Sequence, residues 1–310
     1  MKVYKGFSDY YPVNNAVVTT GIFDGVHVGH KTIINRLKRI AQKHNGESVL
    51  ITFHPHPRLV LQKNKELKLL STIDERINLL QGIGVDHLII IPFDEQFSKL
   101  SSTQFVEDIL VKMVGTKRLV IGYDHHFGRN REGSFKHLLE FGSKYGFEVE
   151  EIPALEVDKV NVSSTIIREA LLNGQVKKAS EFLEHPYTLK GRVVEGDQIG
   201  RSIGFPTANI KIEEDYKLIP KGGVYAVNVV YSNIFYKGML NIGRRPTISS
   251  NNELTIEVNI FDFNKSIYGD ELKLEIIQRV RNEIHFTDVN GLKVQLEQDL
   301  NDCKKILSLK

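Results

Sequence analysis

Residues His27-Val28-Gly29-His30 set two imidazoles three positions apart around a glycine. Such rings donate hydrogen bonds to phosphate oxygens, take up a proton or ligate a metal. The pair follows an apolar, β-rich run at 16–23. It precedes a run at 31–44 in which Ile33, Ile34, Leu37, Ile40 and Ala41 recur on one helical face. The histidines therefore mark a strand-to-helix junction, where unpaired N–H groups and the positive end of the helix dipole stabilise a phosphate. Gly21, Gly25 and Gly29 let the main chain come close. A two-histidine metal site and a plain helix cap fit the same spacing. Residues 25–32 also read G-x-x-x-x-H-K-T, but His30 stands where a phosphate loop of that form needs glycine, so the loop reading is set aside.

Further chemistry-bearing groups lie at other strand ends. The strand at 119–122 runs into Tyr123-Asp124-His125-His126-Phe127-Gly128-Arg129, a crowd of polar groups that is either part of a site or a solvated turn. His54 and His56 could share a metal, although Pro55 and Pro57 favour an irregular loop. Ser163, Ser164 and Thr165 open a helical run and leave hydroxyls for anionic oxygen, with Arg168 offering a planar fork for phosphate; a plain N-cap is the alternative. Thr207 and Asn209 are two apart after Pro206, so they project to one side of an extended segment. Their hydroxyl and amide carbonyl are hard ligands suited to Mg²⁺ carried by nucleotide phosphates. Glu257 is an acid in the β-rich run 254–260 and is either a base for an attacking hydroxyl or one step of a surface alternation.

The elements that must hold these groups change character near residues 182–188. Before that point, strand-like runs at 17–23, 48–53, 87–91, 118–121 and 147–152 are about 25 to 35 residues apart, the spacing of βαβ units. Runs such as 88–91 are apolar throughout, as in a sheet covered on both faces. A doubly wound parallel sheet is expected, with its ligands at the carboxyl ends of the strands. After His185-Pro186, runs at 187–194, 224–231, 235–242, 254–263 and 272–280 are separated by Gly, Asn and Pro turns. They predict an antiparallel barrel or sandwich, and residues 288–309 predict a terminal helix. The expected fold is α/β, with domains at 1–185 and 186–310.

Composition narrows the partners. Forty-one basic against 38 acidic residues leave a net charge of +3, too small to argue for nucleic acid. No 18-residue apolar run exists and no secretory pattern opens the chain, so no membrane partner is expected. Cys303 stands alone, which excludes an intramolecular disulfide and fits a reducing cytoplasm. Weak self-association is left open.

Taken together, His27 to His30 and Ser163 to Arg168 are similar to the H-x-G-H and S-S-T-x-I-R motifs of nucleotidyltransferases. With Gly21-Ile22-Phe23-Asp24-Gly25, Phe53 to Pro57 and Gly122 to Gly128, the first half resembles the bacterial bifunctional riboflavin kinase/FMN adenylyltransferase family. In the second half Gly204-Phe205-Pro206-Thr207-Ala208-Asn209, Gly223 to Ala226, Asn241 to Thr247, Glu257-Val258-Asn259 and Tyr268-Gly269 resemble its kinase module. The resemblance implies riboflavin, FMN and ATP as substrates, and Mg²⁺. It implies Glu257, His27, His30 and Arg168 as catalytic groups, and Thr207 and Asn209 at the metal. Gly21, Phe23, Asp24, Gly29, Tyr123, Asp124, Ser163, Ser164, Thr165 and Gly204 join Thr207 and Asn209 as nucleotide contacts. His125 and His126 depart from an expected aromatic and Arg, and Ile166 from a frequent basic residue. An adenylyltransferase of another substrate and a flavin-binding regulator are the rivals; the second-half motifs oppose the first, the intact catalytic set the second.

Overall fold

The structure is a computed structural model that describes residues 1–61, 67–123, 126–153, 162–196, 200, 203–245, 253–286 and 288–308. Two compact units divide the chain, Met1–Ser164 and Thr165–Lys310.

The first unit is built on a six-stranded parallel sheet. Its strands are β1 (Lys2–Lys5), β2 (Val17–Thr20), β3 (Ser48–His54), β4 (His87–Pro92), β5 (Arg118–Gly122) and β6 (Glu148–Ile152), in the order β1-β4-β3-β2-β5-β6. The alternation of a strand divides its apolar residues between two faces. Val49, Ile51, Ile89 and Ile91 join one core with Phe105, Ile109 and Leu138, while Leu50, Leu88 and Ile90 pack on Ile34 and Leu80 behind. That is why these strands read as unbroken apolar runs. Among the helices are α1 (Val28–Lys43), α2 (Pro57–Leu61), α3 (Ile73–Ile83), α4 (Ser102–Gln104), which runs on into a π-helix at Phe105–Met113, and α5 (Phe135–Tyr145). The chain crosses from β4 to β5, on the far side of β2, so the order reverses beside β2. A crevice opens at such a switch point, outside the strand ends, and the loop after β2 is the one that carries His27 and His30.

The second unit begins with α6 (Ser164–Leu172, shared across the division) and α7 (Val176–Leu183), two helices that precede the expected boundary and pack within the barrel unit. Lys221 N donates to Leu171 O at 3.0 Å, and Arg279 fills the space above Gly174. The barrel is closed and antiparallel, with β7 (Tyr187–Val194), β8 (Ala208–Lys211), β9 (Gly223–Tyr231), β10 (Ile234–Arg245), β11 (Glu253–Ile260) and β12 (Glu271–Arg281) in the order β10-β11-β8-β7-β12-β9. Closure leaves no strand edge unpaired. On its outer face Val224, Ala226, Met239 and Ile277 are covered by Cys303 and Leu307 of α8 (Val289–Ser308). Two strands were not anticipated: β1, whose Lys-Val-Tyr-Lys carries no apolar run, and the four-residue β8.

Candidate active sites

After Thr20 the chain turns through Phe23, Gly25 and Val26, at φ 53°, 76° and 46°. Left-handed backbone at a phenylalanine and at a β-branched valine costs about 1–3 kcal/mol each, so the loop must be held from outside. Asp24, almost fully buried, holds it. Its carboxylate accepts from Leu70 N and Ser71 N, each at 3.0 Å, and from Ser71 Oγ at 3.2 Å. The Ser71 hydroxyl accepts in turn from Gly25 N at 2.9 Å, and Ser164 Oγ donates to Asp24 O at 3.2 Å. Asp24, a nucleotide contact by resemblance, therefore has its oxygens engaged in shaping the loop.

The loop delivers His27 to the N-cap position of α1 and His30 to its first turn. The two rings stack with centroids 3.7 Å apart and planes 20° apart, and the Phe23 ring meets His30 edge-on at 5.2 Å. Gly21 leaves room for Phe23, since a Cβ there would lie 3.0 Å from its ring. Burial first, then His27 and the Arg76 guanidinium, hold the His30 imidazole well below its usual pKa. His30 is thus neutral near pH 7 and acts as a hydrogen-bonding group. Its Nδ1 is buried with no hydrogen-bond partner among the described residues, as expected of an atom reserved for a ligand. Thr32, the threonine of the phosphate-loop look-alike, donates to Val28 O at 3.1 Å inside the helix.

The depressed histidine makes stability depend on pH. An unfolded imidazole binds its proton near pH 6.5 whereas folded His30 resists it, so the stabilisation is fully present above about pH 6.5 and is lost as pH falls below it. Denaturant unfolding of the first half followed between pH 7 and 5 should lose stability with a slope approaching about 1.4 kcal/mol per pH unit for this group. His30→Asn should flatten that slope; an unchanged slope refutes the assignment.

The other groups of the first half are placed as follows. Tyr123 is exposed at the end of β5, while Asp124 and His125 lie outside the described residues. The loop beyond is anchored: Gly128, at φ 74°, passes so close to Ser102 that a Cβ would stand 2.7 Å from its backbone, and Glu132 accepts from Ser102 N at 2.8 Å. His56 Nδ1 accepts from Arg58 N at 3.0 Å and so caps the short α2, and no three-residue metal-binding group of His, Cys, Asp and Glu exists among the described residues. Ser163, Ser164, Thr165 and Arg168 open α6, with Arg168 half-buried. Sequence reasoning missed Arg76, although a signal existed: Ile73, Arg76, Ile77 and Leu80 share a helical face on which a charge is out of place.

The second unit gathers Thr207, Asn209 and Glu257 at one place. Glu257 pairs with Asn209 across β11 and β8 and with Asn241 across β11 and β10. Thr207 donates its hydroxyl to Glu257 Oε2 at 3.3 Å. The turn before it depends on Gly204, at φ 89°, with Phe205 N donating to Gly200 O at 2.8 Å. Asn259 Nδ2 then fixes Pro206 O at 2.7 Å. Thr207, Asn209, Glu257 and Asn241 line a cavity of about 300 Å³ between the barrel and α8, together with Arg281 and Glu283. A second cavity of about 290 Å³ shares Thr207 with the first and is lined also by Pro206, Ala208, Val258, Phe263 and Tyr268. Asn241, Asn259, Arg281 and Glu283 were not singled out as site residues; strand pairing and the bulges of β12 bring them in.

A chain of this geometry has close counterparts. Residues 12–166 match the family model for FAD synthetase and residues 183–307 that for riboflavin kinase, with α7 at the junction. The bifunctional riboflavin kinase/FMN adenylyltransferase of Listeria monocytogenes is 39% identical over 94% of this chain and 92% of its own length. That of Escherichia coli K12 is 34% identical over 100% and 99%. A crystal structure described as a macrolide-efflux protein of Streptococcus pneumoniae is 32% identical and superposes with a TM-score of 0.87 over 98% of each chain.

Proposed function

The chain belongs to the family of bifunctional riboflavin kinase/FMN adenylyltransferases, phosphorylating riboflavin to FMN and adenylylating FMN to FAD with ATP, and we propose that the two reactions are divided between its halves as follows. Residues 186–310 form the kinase and residues 1–185 the adenylyltransferase. The efflux description of the S. pneumoniae structure is not carried over, because both halves match flavin-enzyme models; among the described residues no helix is long and apolar enough to cross a membrane. Two ATP-consuming reactions on small substrates go with a cytoplasmic enzyme that needs neither nucleic acid nor a membrane.

In the barrel, the observation that carries the reading is the contact of Glu257 with Thr207, the residue that two cavities share. Riboflavin in one cavity and ATP in the other would meet at Thr207. Glu257 accepts the proton of the ribityl 5′-hydroxyl as that oxygen attacks the γ-phosphorus and the bond to ADP breaks. Because Thr207 donates its proton to Glu257, its lone pairs stay available to a cation. That hydroxyl and the Asn209 carbonyl fit Mg²⁺, which keeps phosphate and water ligands and needs few from protein. When bound, Mg²⁺ neutralises phosphate charge. Gly204 shapes the approach to the phosphates.

In the sheet domain, the buried unpartnered His30 Nδ1 beside His27 supports a phosphate site at the start of α1. An FMN phosphate oxygen attacks the α-phosphorus of ATP there, and the bond to pyrophosphate breaks. His27, His30 and the N–H groups around Gly29 hold the phosphate charge; Ser163, Ser164, Thr165 and Arg168 take the departing pyrophosphate. Gly21, Phe23 and Tyr123 surround the nucleotide and Asp24 keeps its loop in place. Positioning and charge neutralisation suffice, with no covalent enzyme intermediate.

Separating the halves tests the division. Residues 165–310, which keep α6 and α7 on the barrel, should convert riboflavin and MgATP to FMN and stop, as read by chromatography of the flavins. Residues 1–185, which retain Thr165 and Arg168, should convert added FMN to FAD and leave riboflavin untouched. Phosphorylation of riboflavin by the N-terminal piece, with a folded but inert C-terminal one, would overturn it.

A further inference from the structure

Arg76 lies on α3 and is 1% exposed, the largest of the fully buried side chains. Taking a guanidinium out of water costs several kcal/mol, so its position needs a reason. Its Nη1 donates to Thr52 Oγ1 at 3.3 Å, and Thr52 Oγ1 donates to Ile22 O at 3.1 Å. Thr52 stands two residues before His54 on β3, and Ile22 lies between Gly21 and Phe23, whose ring contacts His30. From one buried cation, hydrogen bonds thus reach β3 two residues before its end and, through Thr52, the loop after β2. Its field also arrives there: Arg76 is among the causes that lower the pKa of His30 and of His54, second to burial at His54. A cation that suppresses protonation of two imidazoles attracts an anion placed on them, and in a desolvated site it does so strongly.

We propose that Arg76 is a positioning residue of the adenylyl-transfer site, a buried guanidinium that supplies a permanent positive charge beneath the ATP phosphates and ties the end of β3 to the loop leading into His27. With His30 and His54 neutral, the fixed charge under the polyphosphate comes from below the site instead of from the imidazoles. The proposal rests on the assignment of ATP to the His27 and His30 junction.

The test uses full-length protein carrying Arg76→Gln or Arg76→Lys. Gln should raise KM for ATP in FMN adenylylation by about tenfold or more, the size of one partly screened charge, and should shift the His30 pKa upward in an imidazole NMR titration. Lys, which keeps the charge and loses the fork, should restore KM to within about threefold of wild type. A wild-type KM in the Gln variant, or equal damage in both variants with an unmoved His30 pKa, overturns the proposal, the second leaving only a structural role. If the Gln variant does not fold, wild-type protein decides: the Arg76 Nε–H resonance, assigned with the Lys variant, should move on adding α,β-methylene-ATP, and no movement overturns the proposal. Normal adenylylation in His27→Ala and His30→Ala would instead remove the ATP assignment itself.

Discussion

Glu257→Gln should lower riboflavin phosphorylation by about 10²- to 10⁴-fold, the range for loss of a general base, while conversion of added FMN to FAD continues at the wild-type rate. The substitution keeps shape and hydrogen bonding: Gln still accepts from Thr207 Oγ1, now 3.3 Å from Glu257 Oε2, and still sits between Asn209 and Asn241 in the sheet. What disappears is the ability to take a proton. The barrel should therefore stay folded, and circular dichroism of the variant should match wild type. Steady-state rates with riboflavin, and separately with FMN, read the two activities from one sample. A variant that phosphorylates riboflavin at the wild-type rate removes Glu257 from the mechanism. Thr207→Ala separates base from proposed cation site, because it leaves the carboxylate in place and removes the hydroxyl proposed for Mg²⁺. Its loss should shrink as Mg²⁺ is raised, whereas that of the Gln variant should not.

Much of this was legible before any coordinates. The unbroken apolar run at 88–91 and its neighbours reveal a sheet buried on both faces, because each side chain must find a core on its own side. The helical face from Ile33 to Ala41 fixes α1, and with it the junction where His27 and His30 stand. The expected strand at 17–23 overran by three residues: it ends at Thr20, since Phe23 and Val26 adopt left-handed backbone that their side chains disfavour. Only the clamp from Asp24 to Leu70 and Ser71, more than 40 residues away, explains such a bend, and no local pattern contains it. Asn241 and Asn259, quoted in the sequence only as parts of kinase-like motifs, were given no role for a similar reason. Each is ordinary in its own strand and acquires meaning through the neighbour that register supplies, Glu257 for one and the Pro206 carbonyl for the other. The cavity they line is a property of barrel closure and of α8 on its outer face.

The converse result is expected in the sheet domain. His27→Ala or His30→Ala should lower FMN adenylylation by about 10²- to 10³-fold, the usual consequence of removing one preorganised donor from a charge-stabilising site, with riboflavin phosphorylation unaffected. The stacked geometry says why each matters. With ring centroids 3.7 Å apart and Phe23 closing the side of His30, neither ring has room to turn and replace the other. Losing His27 also uncovers His30, which then takes more water, so its pKa should rise toward the ordinary value. The two variants therefore differ in pH dependence. His30→Ala should retain a low residual rate that varies little between pH 6 and 8, whereas His27→Ala should show a new titration below pH 7 as the exposed His30 gains a proton. Mixing either variant with riboflavin and MgATP should pile up FMN with almost no FAD. Wild-type FAD formation in both would dissociate the H-x-G-H segment from adenylyl transfer, while loss of riboflavin phosphorylation as well would break the separation of the two activities.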